Sequence, residues 1–349
     1  MAVDAAKEKV AAAQKVVEQA RHELSQEADA YQPLGPIFPK TSTGRRLALA
    51  RWITDKRNPL TPRVAVNHVW LRHFGQPLVD DVADFGLRTA RPRHAELLDS
   101  LALEFLQSGW SMKRLHRQIV LSAAYQRASH PSVNPGEDEA QAFQANLASD
   151  PENRNYWRMD VRRLEAEAVR DAILFVSGRL DLTLGGPDGD AAQGLVLPRR
   201  SLYFRHARER QMEFLTLFDA ANPEECYRRR DSIRPQQTFA MFNSSLAIHQ
   251  ARRLAEQIAQ DCASKPGSLE DHFVTAAFEI ILSRTPNASE QAACLRFLTT
   301  LSDQLAKSAS LDLLYDGDDP VPPATDPHQR ARENLVLTLF NHNDFIMIR

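Results

Sequence analysis

Apolar residues recur every seven positions from Val3 through Val10 and Val17 to Leu24, and Ala6, Ala13 and Ala20 occupy the second seam position of each repeat. This spacing predicts a heptad-patterned, coiled-coil-like helical arm over residues 1–30, in which the small alanines let a partner helix approach closely. The stretch YQPLGPIFP then breaks the helix and predicts a proline-rich linker over 31–43. From Gly44 to Arg127 the period tightens to that of a single helix face. Thr43 is placed to cap a helix carrying Leu47, Ala50 and Trp52, which should stop before Asn58-Pro59 because proline disfavours a helical residue ahead of it. A second helix from about Thr61 carries Val66, Val69, Trp70 and Phe74 and ends at Gly75, the residue suited to a left-handed C-terminal position. A third carries Leu97, Leu98, Leu101 and Phe105, and Ser111 caps a fourth with Met112, Leu115 and Ile119. Links this short require the helices to pack together, so the tryptophans are expected in the core.

Further along, a helix is predicted from about Val161 to Leu180, with Leu164, Ala168, Ala172, Phe175 and Val176 as its buried stripe. Arg163, Glu167, Arg170 and Asp171 fall together on another face, where the plainest outcome is a ladder of ion pairs; with Glu165 they are expected to lie partly buried against the arginine-rich loop 226–234. The stretch RSLYFRH at 200–206 alternates polar and apolar residues and is the best strand candidate. Helical periodicity returns over about 235–262, 269–283, 288–307 and 329–341, with Asn287 or Ser289 as a cap and an acidic, proline-rich loop over 308–327. A short extended tail should pack Phe345 and Ile346 on the last helices. The fold class expected is therefore mainly α, multi-helical and bundle-like, with a minor β element near residues 200–206. Three parts should follow the linker: a helical part at 44–180, an arginine-rich, loop-rich connection at 181–235, and a C-terminal helical part at 236–349.

Composition narrows the function more by exclusion than by indication. The chain of 349 residues has no apolar run long enough to span a membrane. Its first residues, MAVDAAKEKVAAAQKVV, lack the basic start and continuous apolar core of a signal peptide, which leaves a cytoplasmic chain or part of a longer protein. A net charge of −2 argues against wholesale binding of polyanions, and nucleic acid is an unfavoured partner. The basic residues are nevertheless lopsided, 35 arginines to 8 lysines, and residues 199–234 hold nine arginines against six acids. Arginine's planar fork suits carboxylates and phosphates, so Arg163, Arg170, Arg199, Arg200, Arg228, Arg229, Arg230 and Arg234 are candidates for binding an anion or a partner. Cys226, Cys262 and Cys294 contain no CxxC or CxxCH, so no zinc knuckle or covalent haem is encoded, and any disulfide among the three is left open. His68 and His73 are about 140° apart around a helix and cannot readily share a metal ion, so no metal site is expected. The loop LGGPDGDAAQG matches neither a phosphate-binding loop nor a calcium loop. For catalysis the candidates are Glu165 or Glu167 with His94 or His116, a carboxylate and an imidazole that could share acid and base roles if they converge.

Several separate motifs, in order, resemble one known family. They are GRRLALARWITDKRNPLTPRVAVNHVWLRHFG, DFG followed by HAELLD, GWSMKRLHRQIVLSAAYQRAS, DPENRNYWRMDVRRLEAEAVRDAI, RRSLYF and FNHNDFI. Together they resemble the planctomycete-specific domain one family, also called domain of unknown function 1553, over about Leu34 to Ile348. The resemblance carries over to Asn67, Trp70, Phe74, Gly75, Asp84, Phe85, Gly86, His94, His116, Tyr125, Arg163, Glu165, Arg170, Asp171, Cys226 and Asn243, and departs at His68, where arginine is usual, and at Ser232-Ile233, where two threonines are usual. It implies the C-terminal part of a large exported, periplasmic or envelope protein, with haem in an upstream c-type cytochrome-like domain and none in this chain. Three functions compete: a module for assembly or substrate presentation, engaging a protein partner or upstream domain through the 3–28 heptad helix; a hydrolase acting on a glycan or ester; and a nucleic-acid binder using the helix after Gly109.

Overall fold

The computed structural model describes residues 2–25, 41–131, 136–224, 229, 232, 234–307 and 321–348. Most of the expected linker, the first part of the acidic loop, Cys226, Arg228 and Arg230 lie outside them. The chain divides into two compact units, residues 1–58 and 59–349. The first holds α1 (Ala2–Leu24) and α2 (Arg45–Ile53). The heptad arm is thus helical, but the cap of α2 is Gly44, in a left-handed conformation with φ 72°, and not Thr43. No residue of α2 is buried, and Trp52 is 57% exposed.

The second unit runs α3 (Leu60–Phe74), α4 (Ala95–Gln107), α5 (Met112–Val120), α6 (Glu137–Ser149), β1 (Arg162–Arg163), α7 (Ala166–Val176), α8 (Glu213–Leu217), α9 (Pro235–Asn243), α10 (Ser245–Cys262), α11 (Leu269–Leu282), α12 (Ala288–Lys307), α13 (Pro327–Phe340), α14 (Asn343–Ile346) and β2 (Met347–Ile348). The fold is mainly α. Its helix ends follow local chemistry: Gly75 adopts φ 77° and donates to Leu71 O, Ser111 accepts from Arg114 N, and Asn287 and Glu290 cap each other reciprocally.

Two cores form. The smaller joins α3, α4 and α5 through Val66, Trp70, Phe74, Leu98, Leu101, Phe105, Leu115 and Ile119. Leu97 and Met112, expected inside, lie on the rim. The larger gathers α7 to α14 around α13, whose Ala331, Val336 and Phe340 are fully buried. Cys262 and Cys294 belong to this region and are both free thiols.

Two expectations need correction. The buried stripe of α7 is Ala166, Val169, Arg170, Ile173 and Leu174, whereas Phe175 is 65% exposed. The helix is rotated from the expected register because Arg170, which a hydropathy pattern assigns to solvent, lies on its inner face. The minor β element near 200–206 is also reduced, to a bridge of Phe204 with Gly189 beside a 3-10 turn at Ser201–Tyr203, and the two-stranded sheet is instead the antiparallel pair of β1 with β2. The backbone around that turn is shared between main-chain and side-chain partners: Gly189 N donates to Tyr203 O and Arg205 N donates to Gly189 O, while side chains of α7 take other groups. Arg170 donates to the carbonyls of Leu197 and Arg199, and Asp171 accepts from Ser201 N.

Candidate functional site

The second unit contains a cleft of about 670 Å³ between the end of α3 and β1. An aromatic cluster fixes the α3 side. Trp70 stacks on Phe74 at 4.2 Å between centroids and donates from Nε1 to the Tyr156 hydroxyl at 2.9 Å, and Tyr125 packs edge-on against Phe74. On the other side β1 is pinned by its pairing with β2, and Leu164 N donates to Ile346 O. The third wall is Phe218-Asp219, where Asp219 has a left-handed backbone with φ 59°. Gln237, 2% exposed, holds this wall: its Nε2 donates to the carbonyls of Leu217 and Ser232, while its Oε1 accepts from Arg163 Nη1 and Arg234 N.

Four arginines, Arg72, Arg162, Arg163 and Arg229, face this cleft against two acids, Glu165 and Asp219. Arg72 pairs with Glu165 at 3.2 Å, and Arg229 bridges Glu165 at 3.5 Å and Glu167 at 2.5 Å. The bridge separates the cleft from a second pocket of about 320 Å³, lined by Glu165, Glu167, Arg229 and His206. Asp219 accepts from Ser232 N and Oγ and lies 3.9 Å from Arg234. Arg162 is set apart from Arg72 and Arg229 by its partners. Its Nη1 donates to Arg72 O at 2.7 Å, its Nε is buried with no hydrogen-bond partner, and no acid among the described residues pairs with it. The carbonyl end of α3 offers roughly half a compensating charge. The charge of Arg162 extends to His73, whose pKa is pushed below the usual imidazole value by burial first, then by His116 and Arg162.

The other candidates disperse. Arg170 is fully buried: Nε donates to Gly194 O at 2.7 Å, Nη1 to Arg199 O at 2.8 Å and Nη2 to Leu197 O at 2.5 Å, and its guanidinium lies over Phe204. Burial lowers its pKa from the usual arginine value, with Asp171 opposing. It is a clamp on the 194–201 loop. The expected cluster splits: Arg163, Glu165 and Glu167 meet the 226–234 segment through Ser232 and Arg229, whereas Arg170 and Asp171 turn to the 194–201 loop. Arg199 stacks on Tyr203 and donates to the carbonyls of Thr183 and Gly185, and Arg200 sits 3.9 Å from Asp171. Arg228 and Arg230 lie outside the described residues. His94 bonds Arg154 O at 2.9 Å and lines a separate pocket near Arg91 and Arg93. His116 meets His73 at 2.8 Å between ring nitrogens. Neither imidazole lines the cleft or the pocket that Glu165 and Glu167 share. Among the described residues no group of three or more His, Cys, Asp or Glu could hold a metal ion, and no helix is long and apolar enough to cross a membrane.

Sequence reasoning missed Arg72, Arg162, Asp219 and Gln237. The pair Arg162-Arg163 was the one available signal, and only Arg163 was singled out. The Glu165–Arg229–Glu167 bridge does bring the α7 acids against the arginine-rich segment, but with 44% and 27% of the two glutamate side chains exposed. Truncating Glu165 to alanine should therefore cost less than about 1 kcal/mol, and truncating Glu167, the more buried partner of Arg229, about 1–2 kcal/mol. Urea melts of the two variants check this, and a reversed order would show that the bridge is not maintained in solution.

No curated protein and no solved structure matches the chain. Residues 45–298, most of the chain and all of the described cleft except the β2 support of its wall, match one family, and the chain belongs to it: PSD1, a family of proteins of unknown function (DUF1553).

Proposed function

We propose that this chain is a helical binding module that presents a cationic cleft to an anionic group on a substrate or partner, within a larger exported protein. The carrying observation is Arg162, a half-buried guanidinium in the cleft wall whose partner is a main-chain carbonyl and whose Nε has no acceptor. A partly desolvated charge without a counter-charge is costly, and an incoming carboxylate relieves that cost by accepting the fork. The acids Glu165 and Asp219 and the amide of Gln76 supply hydroxyl-binding groups beside it, which suits an acidic glycan. Family resemblance supports an envelope setting beside a c-type cytochrome-like domain that would carry the haem, and the α1 seam supports attachment to a partner helix. A glycan or ester hydrolase is the second reading, favoured by one observation: Glu165, Glu167 and His206 line a single pocket. Calorimetry with a short oligogalacturonate and with its methyl ester tests the proposal. The acid form should bind at least roughly tenfold tighter, and Arg162→Gln should erase that preference. Equal binding of acid and ester, or an unaffected variant, would overturn it; turnover lost in Glu167→Gln would establish the second reading.

A further inference from the structure

A second concave surface lies in the same unit, built from different residues and differing in chemistry from the cationic cleft. It is a groove of about 770 Å³ between the 190–195 turn, the start of α8 and the end of α9. Leu195, Met212, Phe214, Leu217 and Ala240 form its apolar lining. Its rim carries Asp190, Glu209 and Glu213; Arg210 sits 3.6 Å from Asp190 and Arg205 pairs with Glu209 at 3.3 Å, both between exposed side chains, and Glu213 faces the groove with no ion pair among the described residues.

The helix that walls this groove is unusual on its outer side. α9 turns Gln237 and Met241 inward, both 2% exposed, yet it leaves Phe239 and Phe242 at 65% and 36% exposure. Two phenylalanines beside a groove-lining alanine extend the apolar surface beyond the groove itself. Contiguous exposed apolar surface with a polar rim is the pattern of an interaction site.

We propose that this groove docks an amphipathic segment of a partner protein, apolar on the side that enters the groove and carrying lysine or arginine beside that face. The apolar lining and α9 phenylalanines would receive the hydrophobic side chains, and Glu209 and Glu213 the basic ones. Rim acids of this kind chiefly raise the association rate and select partners by sign. A second copy of this chain fits less well. A two-fold contact through this face would bring Glu213 and its neighbouring acids against their own copies, with Arg205 and Arg210 already engaged by Glu209 and Asp190.

Fluorescence anisotropy with the full chain and two labelled peptides tests this. Both peptides carry leucine at helical i, i+3, i+4 and i+7 spacing; one has lysine on its polar face and the other glutamate. The lysine peptide should bind at least roughly tenfold tighter than the glutamate peptide. Ala240→Trp, a change at a half-exposed position that fills the groove, should remove binding. The pair Glu209→Lys and Glu213→Lys, at exposed positions that leave the core untouched, should reverse the preference. Equal affinity for the two peptides, no binding of either, or binding indifferent to both sets of variants would overturn the proposal. So would concentration-dependent dimers in sedimentation velocity that Ala240→Trp abolishes, which would assign the groove to self-association.

Discussion

Replacing Arg170 with methionine should lower the unfolding free energy by about 3–5 kcal/mol, seen as a large fall in the urea midpoint. The guanidinium is fully buried, and its three nitrogens reach the carbonyls of Gly194, Leu197 and Arg199, the Ser201 hydroxyl and the Asp171 carboxylate, Nη1 sharing its two N–H groups among three of these acceptors. Methionine fills similar space but leaves the three carbonyls dry and Asp171 with only the more distant Arg200 as its cation. Lysine should recover little, because an ammonium cannot reproduce the fork that spans three separate carbonyls. A loss below about 1 kcal/mol would show that the 194–201 loop is held by other means.

The second large effect is expected at Asn67. Its side chain is fully buried in α3, donates from Nδ2 to Val79 O at 3.1 Å and accepts from Val79 N at 2.9 Å. This reciprocal pair does for the loop after Gly75 what one rung of a sheet would do. Asn67→Leu keeps the volume and strands both main-chain groups, so it should cost about 2–4 kcal/mol. Asn67→Asp should be similarly damaging, because a carboxylate can accept from Val79 N but offers Val79 O no donor when ionised. Thermal melts of both variants check this; if leucine were tolerated, water must reach Val79 in the native state.

The helices were legible because their signals are local. Ser111, Gly75 and Asn287 each act within a turn of their own position, and the apolar face of α3 repeats inside fifteen residues. What escaped was long-range and polar. Arg170 is expected against the loop 226–234, but the carbonyls that hold it lie 24 to 29 positions after it, in the 194–199 stretch, and leave no local signal in the sequence. At 200–206 the expected strand shrinks to a single bridge between Phe204 and Gly189, because Asp171 takes the Ser201 amide, a contact that alternation in sequence cannot show. Within the site, Arg163, Glu165 and Arg229 were named and do meet at the cleft or its edge. Arg162 and Gln237 were not, because their importance depends on which acceptors surround them after folding. His94 and His116 fell elsewhere, since two histidines on separate helices carry no information about a shared target.

The pairing of β1 with β2 has a consequence for the order in which the protein becomes competent. Arg162 and Arg163 leave the ribosome long before Met347 and Ile348, the residues that fix their wall. Contacts of such wide sequence separation form late, after the loops between them have closed. The larger core waits as well, because α13 supplies three fully buried side chains at Ala331, Val336 and Phe340. A nascent chain that has extruded only as far as residue 298, the end of the family match, thus already displays its cationic arginines while their scaffold is unfinished. The proposed anion recognition would therefore require residues 347–348 to have paired with β1, and a chain truncated before them would present its arginines on an unfinished wall, open to aggregation.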